Sequence, residues 1–216
     1  YLSPLALLWN GGPSVAVFEL CVWNAMVQAC LFLFIVQIPS FLTGKMSYVD
    51  IGWPWGVAFL GLNGLLYGQG WWVRRWVVSG FYIVHGLRMG LGALYLFGKM
   101  TKFTYVFKED LPRYQFAKLR WMRECPESHW WYKIQHDTLQ QGFANMFILA
   151  YPLLLSTSNP NPTLNFTEIV GWGIYVFSWI FENVADSQKT KFLQKCRKEA
   201  KKLSSAAERG GGGTQD

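Results

Sequence analysis

Residues 20–44 read LCVWNAMVQACLFLFIVQIPSFLTG, a run that contains no Asp, Glu, Lys or Arg. A helix needs roughly 20 predominantly apolar residues to cross the hydrocarbon core of a bilayer. Two further stretches, residues 51–73 and 138–167, are also uncharged and long enough. Because barrel strands are about ten residues long and alternate in polarity, these unbroken runs predict transmembrane helices.

The composition of the chain also indicates a membrane protein. Apolar residues make up 51% of the 216 residues and charged residues only 15%, whereas about 25% of residues are charged in an ordinary soluble domain. Tryptophan occurs 12 times, and its ring is favoured where hydrocarbon meets the headgroups. We therefore expect an integral membrane protein whose natural surroundings include membrane lipids.

The apolar runs predict an all-α fold, a polytopic transmembrane bundle of about five spans. We predict this bundle over residues 1–188, and over residues 189–216 a basic amphipathic helix followed by a flexible, glycine-rich tail. Such a helix suits an anionic membrane surface, although its lysines would also suit a phosphorylated cofactor. The five predicted spans are residues 15–38, 51–68, 76–97, 139–156 and 166–181.

The distribution of basic residues predicts the orientation of these spans. With five spans, Lys45, the connection 99–133 and the tail lie on one side of the membrane, and that side holds 17 of the 20 Lys and Arg residues. Arg74 and Arg75 lie on the other side, and Arg88 lies within a span. Because basic residues are enriched in cytoplasmic loops, we expect the N-terminus outside and the C-terminus inside. The net charge of +7 therefore reflects topology, and we expect no nucleic-acid partner.

Several ionisable residues lie inside or beside the predicted spans. Arg88 falls near the middle of the third span, where a charge costs about 2.5–3.5 kcal/mol on insertion scales, and His85 shares its helical face. Asp50 precedes Pro54, a position that suits a helix cap. An alternative is that Asp50, Arg88, Glu182 and Asp186 converge on one polar cavity, with Arg88 paired to Asp186 or Glu182.

Glu182, Asp186 and Lys189 follow the last predicted span at a spacing that places them on one helical face. Charges also cluster where any helix leaves the bilayer, so a simple boundary explains them equally well. The four cysteines and three histidines lack the spacing of a metal site. We therefore expect no bound metal.

Four stretches resemble motifs of the steroid 5-alpha reductase-like membrane enzymes, in particular an uncharacterised branch of that group. Ser47-Tyr-Val-Asp-Ile-Gly-Trp-Pro-Trp-Gly56 is similar to its Ser-x-Val-Asp-x-x-Trp motif, and His85-Gly-Leu-Arg-Met-Gly90 to its Gly-Leu-Arg-Leu element. Glu109-Asp-Leu-Pro-Arg-Tyr114 resembles the Glu-Asp-x-Arg-Tyr loop of the branch, with one additional residue between the acidic and the basic residue. The fourth, Phe181-Glu-Asn-Val-Ala-Asp-Ser-Gln-Lys189, resembles its most specific motif.

The resemblance implies an NADPH-dependent reductase that acts on a carbon–carbon double bond of a lipid or steroid. It implies that Asp186, and less directly Glu182, bind polar parts of the cofactor and that Arg88 lines the same pocket. Lys189 belongs to the same motif, where a base would meet a phosphate. No catalytic residue is assigned by the resemblance, and Asp50 is a weak catalytic candidate.

The chain departs from the family pattern after the fourth motif. Nothing in it resembles the Gly-Leu-Trp-x-x-Ser-Arg-His-Pro-Asn-Tyr segment that contributes much of the dinucleotide site in these enzymes, and the sequence begins with Tyr1. We therefore expect that this chain does not bind NADPH tightly by itself and is inactive as given.

Two other functions stay open at this point. The chain could be a non-catalytic, reductase-derived subunit of a large organellar complex, respiratory or photosynthetic, with other subunits of that assembly as partners. A methyltransferase of the isoprenylcysteine type, which has a related bundle, is a third and weaker interpretation. The membrane itself would be mitochondrial, plastid or endoplasmic reticulum.

Overall fold

The computed structural model describes residues 15–101, 109–124 and 127–210, and all regular structure in these ranges is helical. This confirms the predicted all-α bundle. The helices in chain order are α1 (Val15–Leu31), a π-helical segment π1 (Phe32–Gln37), α2 (Ile38–Thr43), α3 (Val49–Tyr67), α4 (Trp72–Thr101), α5 (Pro112–Glu124), α6 (Glu127–Phe143), a second π-helical segment π2 (Ala144–Ile148), α7 (Ala150–Thr157) and α8 (Phe166–Gly210).

Two helices are long and apolar enough to cross a membrane by length and composition. They are Val15–Thr43, which comprises α1, π1 and α2, and Trp72–Tyr95 within α4. The other three predicted spans also fall on helical residues, apart from Gly68 after the end of α3 and a turn at Leu149. The total of five spans stays a prediction.

Each π-helical segment precedes a proline. Pro39 and Pro152 have no N–H to donate, and a proline ring clashes with the carbonyl four residues earlier. Those carbonyls belong to Ile35 in π1 and Ile148 in π2. A locally widened turn accommodates the proline without ending the helix, so the first candidate span continues through Pro39 to Thr43.

Among the described helices, α3 and α4 make the most extensive contact. Gly86 allows this approach, because a Cβ at that position would lie 2.7 Å from the carbonyl oxygen of Pro54. Small residues at such contacts let helix backbones pack closely without a hydrophobic driving force. Two clusters of buried apolar residues complete the core: Leu20, Leu60, Ala150, Leu153 and Leu154 form one, and Phe32, Val36, Tyr48 and Val49 form the other.

Contacts between connections define two ends of this bundle. At one end, the N–H of Gly70 donates to the carbonyl of Thr157 at 2.8 Å, and the fully buried Arg74 donates to the carbonyl of Asn161. At the other end, the connection between α2 and α3 contacts the segment that begins α5. This arrangement agrees with the predicted sidedness of the connections around Lys45 and before α5.

The chain divides into two compact units, Tyr1–Pro162 and Thr163–Asp216. The second unit consists of α8, one helix of 45 residues that includes both the fifth predicted span and the basic region after Lys189. The predicted boundary between residues 188 and 189 therefore lies inside a continuous helix. The glycine-rich end, residues 211–216, lies outside the described residues.

Candidate functional site

A buried carboxylate, that of Asp110, fastens the connection between α2 and α3. Its Oδ1 accepts hydrogen bonds from the backbone N–H of Met46 at 2.9 Å and of Ser47 at 3.0 Å, and from the Ser47 hydroxyl at 2.7 Å. Only 2% of the Asp110 side chain is exposed. Carboxylates hydrogen-bonded to backbone N–H groups make strong, charge-assisted contacts, so Asp110 fixes the entry to α3.

Lys118 supplies the balancing charge for Asp110. Its ammonium pairs with the second carboxylate oxygen, Oδ2, and also donates to the carbonyl of Gly44, the residue that ends α2 in a left-handed conformation. The Lys118 side chain is 15% exposed. A buried carboxylate is tolerated when it is paired and hydrogen-bonded, and both conditions hold here.

Asp50, in the first turn of α3, forms a second acid–base group beside the first. Its Oδ1 accepts a 2.7 Å hydrogen bond from the Tyr114 hydroxyl and pairs with Arg113. Its Oδ2 is buried and accepts no hydrogen bond from the residues that the structure describes. We call the whole group the Asp50–Asp110 joint; its members are Ser47, Asp50, Asp110, Arg113, Tyr114 and Lys118.

Tyr114 is the titratable member of the joint whose acidity changes most clearly. Its pKa is raised, first because the phenol is buried and second because ionisation would place its charge beside Asp50. The hydrogen bond to Asp50 acts in the same direction, and Arg113 opposes it. The phenol therefore stays neutral and can donate a hydrogen bond throughout the physiological pH range.

The helix-cap interpretation of Asp50 is wrong. The N-cap of α3 is Tyr48, which makes no side-chain capping bond, and Asp50 is the second residue inside the helix. There its negative charge is favourable beside the free N–H groups of the first turn, and its side chain contacts α5 instead of the helix backbone.

The predicted cofactor residues are divided between the two units of the chain. Arg88 is half-buried in α4, in the first unit. In α8, Glu182 is half-buried and Asp186 and Lys189 are exposed. The predicted pairing of Arg88 with Asp186 or Glu182, and their convergence with Asp50, stay predictions. Within the described ranges, no group of three His, Cys, Asp or Glu residues is arranged to hold a metal ion.

A cluster of buried amides crosses the apolar core, and the sequence patterns above did not predict it. Gln28 Nε2 donates to the carbonyl of Gly56 at 2.8 Å, and Asn145 Nδ2 donates to the carbonyl of Trp53 at 3.1 Å. The amides of Asn24 and Asn63 lie beside them at longer distances, 3.5 Å. A signal was present, because Asn24 and Gln28 are four residues apart in a helix whose other residues, apart from Glu19, are apolar.

Comparison with known proteins gives one positive finding. No curated protein and no solved structure matches the chain. The sequence profile of one family, described as "Protein of unknown function (DUF1295)", matches residues 33–210, a range that includes the Asp50–Asp110 joint, Arg88 and all of α8. The chain is thus a member of the DUF1295 family.

Proposed function

We propose that this protein is a multi-pass membrane reductase of the steroid 5-alpha reductase type, which uses NADPH to reduce an activated double bond of a lipid or steroid. Support comes from the four motifs, from membership of DUF1295 and from two helices long and apolar enough to span a membrane. The proposed membrane is mitochondrial, plastid or endoplasmic reticulum.

The observation that carries the proposal is the hydrogen bond between Tyr114 and Asp50. Addition of a hydride to an enone leaves negative charge on the carbonyl oxygen, so the reaction needs a hydrogen-bond or proton donor there. Tyr114 is a neutral phenol with a raised pKa, oriented by a carboxylate. Because the phenol has a single proton, Tyr114 would turn its O–H from Asp50 to the substrate oxygen, and Arg113 would keep the Asp50 carboxylate paired.

The location of this pair suits an amphipathic substrate. The joint lies beside Gly44, at the end of the candidate span Val15–Thr43. The polar atoms of a membrane lipid or steroid lie near the headgroups while its apolar body lies in hydrocarbon. A carbonyl at that depth would be at the level of Tyr114.

The predicted cofactor residues are chemically suited to NADPH. Carboxylates such as Glu182 and Asp186 accept hydrogen bonds from ribose hydroxyls or the amide, and the bases Arg88 and Lys189 suit phosphates. Asp186 and Lys189 are exposed on α8 and accessible to such a ligand. When bound, NADPH would supply the hydride; the residues of this chain would form only part of its site, in keeping with the weak binding expected above, and would provide the proton.

Binding of an enone tests the substrate-binding part of the proposed site, which the Asp50–Asp110 joint would form. The purified chain in lipid nanodiscs is titrated with a steroid enone and with an analogue that lacks the ketone. We expect Tyr114→Phe to weaken enone binding about two- to tenfold, the value of one neutral hydrogen bond, without changing analogue binding. Equal affinities of both proteins for the enone would contradict the proposal.

The second candidate, a non-catalytic subunit of a membrane complex, has its own support. Large apolar side chains are exposed along the first part of α8, including Phe166, Ile174, Phe177 and Phe181, and such residues pack on lipid or on other subunits. Failure of the chain to bind any enone, together with its copurification in a stoichiometric membrane complex, would favour this function.

A further inference from the structure

Among the residues that the structure describes, two side chains on one side of α5 hold it to the connection between α2 and α3 and to the start of α3. Tyr114 and Lys118, four residues apart and therefore on one side of a helix, contact Asp50 and Asp110 respectively. Both anchoring residues are members of the Asp50–Asp110 joint. The orientation of α5 about its own axis is consequently fixed, and so is the identity of the residues that point away from the bundle.

The side of α5 away from these contacts exposes Phe116 and, next to it, Leu119. These two side chains are three residues apart and are 73% and 56% exposed, whereas Met122 lies four residues after Lys118 and therefore on the anchored side. Burial of each such side chain is worth about 1.5–3 kcal/mol, so the shared exposure of Phe116 and Leu119 on a 13-residue helix calls for an apolar neighbour. We call this pair of side chains the outer face of α5.

Arginines border the outer face. Arg120 and Arg123 help to line a surface depression of about 480 Å³, together with Phe116, Leu119 and Glu124. Glu124, the only acidic residue of α5, pairs with Arg120 at 2.7 Å. In comparison with this single acidic residue, α5 contains four basic residues: Arg113, Lys118, Arg120 and Arg123. A pair of apolar side chains bordered by exposed guanidinium groups is complementary to a phospholipid surface, whose phosphates lie just above its acyl chains.

The attachment points place α5 at the level of a membrane boundary. Lys118 donates to the carbonyl of Gly44, the first residue after the candidate span Val15–Thr43. Asp110, two residues before α5, holds Met46 and Ser47. A helix fastened where a span ends lies at the depth of the lipid headgroups, which is where an amphipathic helix is stable.

We propose that the outer face of α5 is a phospholipid-docking surface. Phe116 and Leu119 insert at the boundary between headgroups and acyl chains, and Arg120 and Arg123 donate hydrogen bonds to lipid phosphodiesters. This inference rests on the membrane location proposed above, but not on the reductase activity. It assigns α5 the task of holding the Asp50–Tyr114 pair at the depth of a lipid's polar end.

Depth-sensitive fluorescence tests this surface in the full chain. An environment-sensitive fluorescent amino acid is placed singly at Leu119, at Phe34 and at Glu109, and each protein is reconstituted in phosphatidylcholine vesicles containing phosphatidylglycerol. Phe34 is a control for the membrane location, because it is 64% exposed within the first candidate span. Glu109 is an exposed control beside the joint. Acrylamide, a neutral quencher in the water phase, reports accessibility.

We expect acrylamide quenching to be several-fold weaker at Leu119 and Phe34 than at Glu109. Arg120→Gln combined with Arg123→Gln should raise quenching at Leu119 and leave Phe34 unchanged. Protection at Phe34 with quenching at Leu119 equal to that at Glu109 would overturn the docking surface alone. Strong quenching at all three positions would overturn the membrane location and this inference with it.

Discussion

The hydroxyl of Tyr114 donates a 2.7 Å hydrogen bond to the carboxylate of Asp50, 64 residues earlier in the chain. This bond brings together two of the four family-like motifs, Ser47–Gly56 and Glu109–Tyr114, which the sequence separates. Asp110 and Ser47 make a second contact between the same motifs. The two motifs therefore form one polar group at one end of the bundle.

Loss of the Asp110 carboxylate should destabilise the protein strongly. Asp110→Ala removes the counter-charge of Lys118 and leaves the N–H groups of Met46 and Ser47 without their acceptor. Breaking a buried pair from one side costs about 3–5 kcal/mol. Thermal unfolding in detergent would measure this loss. The matched control is Glu124→Ala, which removes a carboxylate from an exposed pair with Arg120 and should change the stability little. Similar losses of stability in both variants would contradict the structural role of Asp110.

Gly56 should tolerate no side chain, whereas Gly80 should. A Cβ at Gly56 would overlap the Nδ2 of Asn145 and lie 2.6 Å from the Oε1 of Gln28, so Gly56→Ala should destabilise the protein by about 1–3 kcal/mol. A Cβ at Gly80 would meet no neighbouring atom within 4 Å, so Gly80→Ala should stabilise α4 by about 0.5–1 kcal/mol. We therefore expect unfolding experiments to show a lower stability for Gly56→Ala and a higher stability for Gly80→Ala. A Gly56→Ala variant that is more stable than wild type would contradict the packing of Gly56 against the amide cluster.

Tyr114 should contribute a specific loss of stability at high pH. Its pKa is raised in the folded protein, so the unfolded chain releases this proton first. The contribution is therefore complete below the ordinary tyrosine pKa of about 10 and is lost as the pH rises above it. Compared with wild type, Tyr114→Phe should show a smaller drop in melting temperature over this range. Parallel curves for the two proteins would show that Tyr114 ionises normally.

The predicted topology places Cys125 and Cys196 on the same side of the membrane. Membrane-impermeant maleimide, applied to sealed vesicles of one orientation, should label both cysteines or neither. Variants that each retain one of the two cysteines separate the signals, and lysed vesicles give the full extent of labelling. Labelling of one cysteine from outside and of the other only after lysis would show that the predicted arrangement, with two spans between these cysteines, is wrong.

The sequence predicts the helical fold well but the joint only in part. Uncharged runs longer than a bilayer crossing locate α1, α3 and α7, because their pattern is local, but they do not predict α5, which lies in the charged connection 99–133. The motifs at Asp50 and Tyr114 are visible in the sequence, yet their contact depends on how α5 packs beside α3. The role of Asp110 depends likewise on Ser47, more than 60 residues away. Asn145 contacts Trp53 across 92 residues, and no local pattern encodes such a distance.

The central claim, that Tyr114 donates to the carbonyl of a membrane-borne enone, is tested most directly by vibrational spectroscopy of the bound ligand. A steroid enone with an isotopically labelled carbonyl is bound to the chain in nanodiscs, and its C=O stretch is recorded by infrared difference spectroscopy. A hydrogen bond weakens the C=O bond, so we predict a lower frequency in wild type than in Tyr114→Phe. The same frequency in both proteins would contradict the claim.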